Sequence, residues 1–281
     1  MRAPAERTTP RPLHAPDPPA LARIAFVLVN PSHPGNVGAA ARAMRTMGLS
    51  DLRLVAPRFP DVCARPEARA FASGADAVLD AARCYGSLGE AIGDAALAVA
   101  VSAEAREFGP QPAPPEACAA QAFEVLDADP AHRVAFVFGA ERTGLSIGSV
   151  QACGLLASIP ASPVYSSLNL AQALQIVAYC VRRAALDASA DPNANEDADA
   201  PTTPAPSPVA SPDGPLADQA AVQGFLEHLE RSLLAIGFLD PAHPKKLMPR
   251  MRRLFLRARL RAEEVDLLRG ICHLVERDPR R

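Results

Sequence analysis

The sequence predicts an α/β body built on a parallel sheet, followed by a smaller helical segment. Three observations predict it: short aliphatic runs without polar alternation, helical patterns between those runs, and purely helical periodicity from Leu216 onward. A strand with no polar side is buried on both faces, as in a parallel sheet covered by helices. Strands alternating with helices then give the α/β class.

The runs are IAFVLV (Ile24 to Val29), LRLV (Leu52 to Val55), LAVAV (Leu97 to Val101), VAFVF (Val134 to Phe138) and LLASI (Leu155 to Ile159). After the first comes NPSHPGNVGAAARAMRTMG (Asn30 to Gly48), read as an irregular loop ending at Asn36 as a helix N-cap, then a helix closed by Gly48. Arg42 and Arg45 lie on that helix, either as solvated side chains or as ligands for an anion. The segments VAFVFGAERTGLS and LLASIPASPVYSSLNLAQALQIVAY repeat the pattern of strand, polar loop and helix. Ligands of open α/β sheets collect outside the carboxyl ends of the strands, so three such loops can converge on one site. Gly139 would let a ligand approach the backbone, and Glu141 with Arg142 would form an ion pair or touch ligand. The run Tyr165 to Asn169 sets hydroxyls and an amide at the start of a long helix, where free N–H groups bind ligand or are capped.

Proline divides the chain, because it interrupts both helix and sheet. Six of the 29 prolines fall in residues 1–20, and seven fall between Asp187 and Pro215 with six acidic residues and no basic one. The expected organisation is a disordered tail (1–21), a body (22–186), an acidic Pro-rich linker (187–215) and a helical extension (216–281), with few contacts across the linker. Helices are expected over Asp218 to Ile236, roughly His243 to Arg259, and Glu263 to Arg277.

Composition removes several functions. The net charge of −2 gives no bulk attraction to a polyanion, so a nucleic-acid site must be a local patch. No apolar run approaches the roughly 20 residues that span a bilayer, and the start lacks a signal peptide's apolar core, so a soluble cytoplasmic protein without a membrane partner is expected. The six cysteines are scattered without C-x-x-C pairs, which reads as reduced, mostly buried thiols and no metal. None of the 16 glycines forms G-x-G, and no GxxxxGK[ST] loop is present, so a Rossmann dehydrogenase and a P-loop NTPase lose their main support.

The local patch lies in the extension. Between Lys245 and Arg261 there are eight basic residues and no acidic one. Lys245, Lys246, Arg252, Arg253 and Arg257 are the candidate RNA contacts, with Arg42 and Arg45 from the body. Leu247, Met251, Leu254 and Phe255 recur at helical spacing and predict a buried stripe opposite a basic face. With no Trp, a broad stacking platform is not expected, although Tyr165 can stack on one base.

Taken together, NPSHPGNVGAAARAMRTMG, VFGAERTGL and IPASPVYSSLNLAQALQIVAY resemble the three ordered motifs of the SpoU class of SPOUT methyltransferases. The C-terminal GFLEHLERSLLAIGFLDPAHPKKLMPRMRRLFLRARLRAEEVDLLRGI is similar to the helical extension of the TrmJ-type tRNA 2′-O-methyltransferases. This resemblance implies a homodimer, a deep trefoil knot and S-adenosylmethionine as cofactor, acting on tRNA rather than DNA, at the ribose of anticodon-loop position 32. It implies cofactor contacts at Val101, Ser102, Ala103, Gly139, Ile159, Ser166, Ser167 and Leu168. It makes Arg42 the catalytic arginine and places Ser167 near the reacting centre. Asn36, Glu141 and Asn169 match motif positions with positioning roles. One departure is that V-S-A-E (Val101 to Glu104) stands where related enzymes carry T-S-A-R, with Arg106 as a displaced cation. Ribosomal RNA methylation and a non-catalytic RNA-binding module are the rival readings.

Methyl transfer to a ribose hydroxyl is an in-line displacement that needs alignment and relief of charge on the oxygen. Alignment contributes about 7 to 11 kcal/mol. General-base assistance adds about 10²- to 10⁴-fold. A guanidinium stays protonated up to about pH 12, so Arg42 is expected to bind the adjacent phosphate and stabilise the developing oxyanion, with the hydroxyl proton passing to phosphate, water or a transiently neutral arginine.

Overall fold

A computed structural model describes residues 16–189 and 214–277. The disorder expected at residues 1–15 and through most of the linker lies outside the described residues. Two boundaries move. Residues 16–21, assigned to the tail, join the body: Pro19–Arg23 forms a 3₁₀ turn, Leu21 is buried and Asp17 pairs with Arg182 at 2.7 Å. Asp187 and Ala188, assigned to the linker, continue the last body helix.

The body runs β1 (Ile24–Val29), α1 (Pro34–Thr46), β2 (Asp51–Val55), α2 (Pro66–Ala72), α3 (Asp76–Asp80), β3 (Arg83–Tyr85), α4 (Leu88–Ile92) and β4 (Leu97–Val101). It continues with β5 (Pro112–Ala113), α5 (Pro115–Ala128), β6 (Val134–Phe138), α6 (Ile147–Gln151), β7 (Leu155–Ala157) and α7 (Leu170–Ala188). All pairings are parallel, in the order β3-β2-β1-β6-β4-β7-β5. The register aligns Leu28, Phe138, Val101 and Ala157 in one row across four strands. The loops that follow β1, β4, β6 and β7 therefore leave the sheet at one level.

Alternate strand residues face two buried layers, as expected for apolar strands without a polar side. Phe26, Leu28, Leu54, Phe136 and Phe138 pack with α1, α2, α5 and α7. Ala25, Val27, Ala98, Ala100, Ala135 and Val137 form a thinner layer with Ile92 of α4 and Val150 of α6. The Arg53 guanidinium inside LRLV is buried because Asp51 and Asp94 pair with it.

Three local expectations change. Helix α1 begins at Pro34 with His33 as N-cap, so Asn36 is its third residue and does not cap it. Proline is pre-organised for a first helical turn, and the Asn36 amide is engaged elsewhere. The run LLASI is a strand only to Ala157, where Ser158 N donates to Ala113 O and closes the ladder. Edge strands β3 and β5 were missed because one is polar and exposed and the other is two residues long and begins with proline. Gly48 does close α1, at φ +79°.

The extension forms α8 (Gln219–Ala235), α9 (Leu247–Ala258) and α10 (Ala262–Arg277) around Val222, Phe225, Leu226, Leu260, Val265 and Cys272. The expected scarcity of contacts with the body is not met. Gln219 N and Ala220 N donate to Ala95 O and Gly93 O of the body, at 2.9 and 3.1 Å. Leu216 N donates to Nε2 of buried His132 at 2.9 Å, whose Nδ1 lies 2.8 Å from Val125 O. Proline composition says how the chain is tethered, not whether the tethered helices then dock. No described helix is long and apolar enough to cross a membrane.

Candidate functional site

Glu141, three residues past the end of β6, is the hub of the site. Its carboxylate accepts hydrogen bonds from Ser32 N at 3.0 Å, Ser32 Oγ at 2.7 Å, His33 N at 3.1 Å and Asn36 Nδ2 at 3.0 Å. Asn36 Oδ1 accepts from Asn169 Nδ2 at 3.0 Å, and Asn169 Oδ1 caps α7 by accepting from Ala171 N at 2.9 Å. Burial alone would raise the Glu141 pKa, but the hydrogen bonds from Asn36 and Ser32 outweigh it and hold the carboxyl at about 2. The carboxylate stays ionised and ties the loops after β1 and β6 to the start of α7. Of the two alternatives for Glu141 with Arg142, the ion pair is not formed, and both residues face the neighbouring cavity.

Beside this hub lies a cavity of about 290 Å³. Val101, Ser102, Ala103, Gly139, Ile159, Ser166, Ser167 and Leu168 all line it, with Glu141 and Arg142. The sheet register explains the convergence: Val101, Phe138 and Ala157 end their strands in one row, and the lining residues follow directly. Ser102 fixes the first wall, its N donating to Ala157 O at 3.1 Å and its Oγ accepting from Glu104 N at 3.2 Å. Arg106 pairs with Glu104 at 2.7 Å, while its Nε is buried without a partner among the described residues.

Gly139 carries a packing constraint that the sequence did not show. A Cβ there would stand 2.1 Å from Gly144 C and 2.3 Å from Leu145 N. A side chain is excluded there because the loop folds back on the glycine, with Gly144 N donating to Ala140 O at 2.8 Å, while Gly139 itself lines the cavity.

Other residues stand apart. Arg42 and Arg45 are exposed on α1 and do not line the cavity. Asn36 and Asn169 brace the loops without lining it. Ser32, Phe138, Thr143 and Leu170 take part without having been singled out. Ser32 carried a signal, being a polar residue between Pro31 and Pro34 directly after a strand.

The basic segment is less uniform than its composition. Lys246 binds both carboxylate oxygens of Glu107 at 2.7 Å. Arg252 donates to Gln223 Oε1 at 2.6 Å, and burial between α8 and α9 lowers its pKa. Lys245, Arg253 and Arg257 are exposed. Of the expected stripe, Phe255 packs on the extension's core, joined by Leu256, whereas Leu254 is 45% exposed.

Among the cysteines, Cys118, Cys153, Cys180 and Cys272 are buried, in line with mostly buried thiols, while Cys63 is half-buried and Cys84 on β3 is exposed. Burial pushes the Cys153 thiol up to about 12 and Cys118 to about 11, which leaves neither as a thiolate near neutrality.

A parallel sheet with three loops drawn around one cavity at its carboxyl edge defines an α/β body of the SpoU methylase type. Residues 23–179 match the SpoU rRNA Methylase family, and residues 220–281 match the C-terminal domain of the tRNA methyltransferase TrmJ. The chain belongs to the SpoU rRNA Methylase family. It is 42% identical over 252 residues to the tRNA (cytidine/uridine/adenosine-2′-O-)-methyltransferase TrmJ of Pseudomonas aeruginosa, covering 89% of this chain and 93% of that one. To the tRNA (cytidine/uridine-2′-O-)-methyltransferase TrmJ of Pectobacterium atrosepticum it is 42% identical over 260 residues, covering 92% and 98%. The crystal structure of TrmJ from Z. mobilis ZM4 superposes with a TM-score of 0.73 at 32% identity, covering 91% of this chain and all of that one.

Proposed function

We propose that this chain is an S-adenosylmethionine-dependent tRNA ribose 2′-O-methyltransferase of the cytoplasm. The observation that carries the reading is the convergence of all eight expected cofactor residues on one cavity, braced by Glu141, Asn36 and Asn169. The match of α8 to α10 to the TrmJ C-terminal domain favours tRNA over ribosomal RNA. Two relatives named for tRNA methylation, each about 42% identical, support the same choice.

The cavity fits such a cofactor by its chemistry. Val101, Ile159 and Leu168 offer an apolar wall, and the loops present backbone groups. The buried, unpaired Nε of Arg106 is a donor left over for an anionic group such as a carboxylate. The bound cofactor supplies an electrophilic methyl group. Ser166, Ser167 and Leu168 hold it at the start of α7, and the Glu141 network keeps the three loops in one geometry, so that alignment is prepaid. Arg42, exposed on α1, presents its guanidinium to the RNA, where it binds a phosphate and offsets charge growing on the ribose oxygen.

Within this reading the nucleotide is cytidine or uridine at anticodon-loop position 32, as the resemblance implies, and the assembly is a knotted homodimer. Val164 and Tyr165, 92% and 79% exposed next to Ser166, leave apolar surface at the cavity for a second copy or a base. Transfer of a labelled methyl group to tRNA, followed by mapping of the 2′-O-methylated nucleotide, tests it. Methylation at position 32 is expected. Transfer only to ribosomal RNA would move the substrate, and absence of transfer with RNA binding intact would leave a binding module. Light scattering in solution tests the dimer.

A further inference from the structure

No lysine occurs in the body between residues 16 and 189, so its positive charge is carried by arginine. Among the described body residues, every arginine side chain holds an ion pair or a hydrogen bond except Arg42, Arg45, Arg58 and Arg142. Three of these four sit in the first two motifs. Arg58 does not, and neither the motifs nor the cavity accounts for it.

Its surroundings are built. Arg58 N donates to Pro31 O at 3.1 Å, which fixes the loop after β2 against the first-motif loop. Asn30 N donates to Val55 O at 2.8 Å and Ala56 N to Tyr85 O at 3.0 Å. Asn30 and Ala56 adopt φ of +51° and +42°, so this rim of the sheet holds two non-glycine residues in the left-handed region side by side. Such backbones persist only where the surrounding structure over-determines them. The exposed Arg58 guanidinium lies 5.1 Å from the centre of the Phe59 ring, and Arg65 lies 3.7 Å from the same ring. Arg65 is neutralised by Asp61 at 3.1 Å, whereas Arg58 has no carboxylate among the described residues. Because β2 is two strands from β6, the strand ends that carry the Arg58 and Glu141 loops lie roughly 10 Å apart along the sheet edge.

We infer that Arg58 is a phosphate-binding, positioning residue for the RNA, gripping the backbone that flanks the modified nucleotide. The inference rests on the proposed tRNA methylation. The guanidinium rests 5.1 Å from the Phe59 ring centre, and the hydrogen bond from Arg58 N to Pro31 O ties the Arg58 backbone to the loop that Glu141 holds.

The test uses the full chain with Arg58→Gln and Arg58→Lys, an unmodified tRNA transcript, and titrations between 50 and 200 mM salt. Arg58→Gln should raise KM for tRNA about 5- to 10-fold, as loss of one surface charge-assisted contact does, with kcat within about twofold. The slope of log affinity against log salt should fall by roughly 0.7 to 0.9. Cofactor affinity should not move, and lysine should restore most of the loss. Unchanged KM and slope, a loss confined to kcat, weakened cofactor binding, or a lysine variant no better than glutamine would each overturn the inference. Wild-type methylation alongside an indifferent Arg58→Gln removes this inference alone. A wild-type chain that neither binds nor methylates tRNA removes the proposed function with it.

Discussion

The Asn36 side chain uses both ends of its amide: Nδ2 donates to Glu141 at 3.0 Å while Oδ1 accepts from Asn169 at 3.0 Å. One residue thereby joins loops that are 105 and 133 positions away in sequence. Only an amide has a donor and an acceptor at that spacing, so aspartate is not a substitute.

Asn36→Asp should therefore turn a donor into an acceptor facing an ionised carboxylate. The expected cost is about 1 to 3 kcal/mol from the unsatisfied pair, with added repulsion. Thermal melting should show the loss, and methyl transfer should fall more than the fraction folded. Wild-type melting and turnover would remove the bracing role.

The low pKa of Glu141 has a pH consequence. Its folded value of about 2 lies below the ordinary 4.5, so the stabilisation is present above about 4.5 and is lost as pH falls toward 2. Glu141 is partly solvated, and its contribution at neutral pH is on the order of 1 kcal/mol after allowing for screening. Melting of wild type and Glu141→Gln from pH 7 to pH 2.5 should show a gap that narrows below about pH 4.5. A gap independent of pH would contradict the assignment.

Gly139→Ala should be costly, because its Cβ would meet backbone at 2.1 Å and not a mobile side chain. A loss of about 1 to 3 kcal/mol is expected, together with weaker cofactor binding as the loop to Leu145 is displaced. Calorimetry with the cofactor and a melting curve separate the two effects. Weaker binding at unchanged stability would return the residue to a ligand-approach role.

The sheet was legible wherever strands are buried on both faces, as with IAFVLV and VAFVF. Edge strands β3 and β5 were not, because an edge needs no apolar run. Residues lying near one another along the chain after a strand, such as Val101 to Ala103, could be placed in the site from their motifs. The hydrogen bonds of Glu141 to Ser32 and Asn36 could not, since nothing local records which loop meets which. Docking of the extension was hidden for the same reason. His132 reads as an ordinary polar loop residue until Leu216 N is placed on its Nε2.

That docking changes what truncation should do. Removing residues 216–281 leaves His132 Nε2 and the Gly93 and Ala95 carbonyls without their partners. A loss of about 1 to 3 kcal/mol is expected. Melting temperature should fall by about 2 to 4 °C per kcal/mol for a body of this size. An unchanged melting temperature would show that the contacts are energetically neutral.

Within the basic segment, Arg252, Arg253 and Arg257, three of the four arginines of α9, should not behave alike. Arg253 and Arg257 are exposed and four residues apart, hence on one helical face and free to meet phosphates. Neutralising both to glutamine should lower the salt slope of tRNA binding by roughly 1.4 to 1.8, two contacts at 0.7 to 0.9 each, with cofactor affinity unchanged. Arg252 is rotated by about 100° from Arg253 and donates to Gln223 at 2.6 Å between α8 and α9. Replacing it with alanine leaves the Gln223 carbonyl without this donor, so it should cost stability of the extension while barely moving the slope. Equilibrium tRNA binding at several salt concentrations, paired with melting of each variant, reads both quantities. If Arg252→Ala lowers the slope as much as Arg253→Gln does, Arg252 leaves Gln223 to meet RNA and the division between a packing and a docking arginine is wrong.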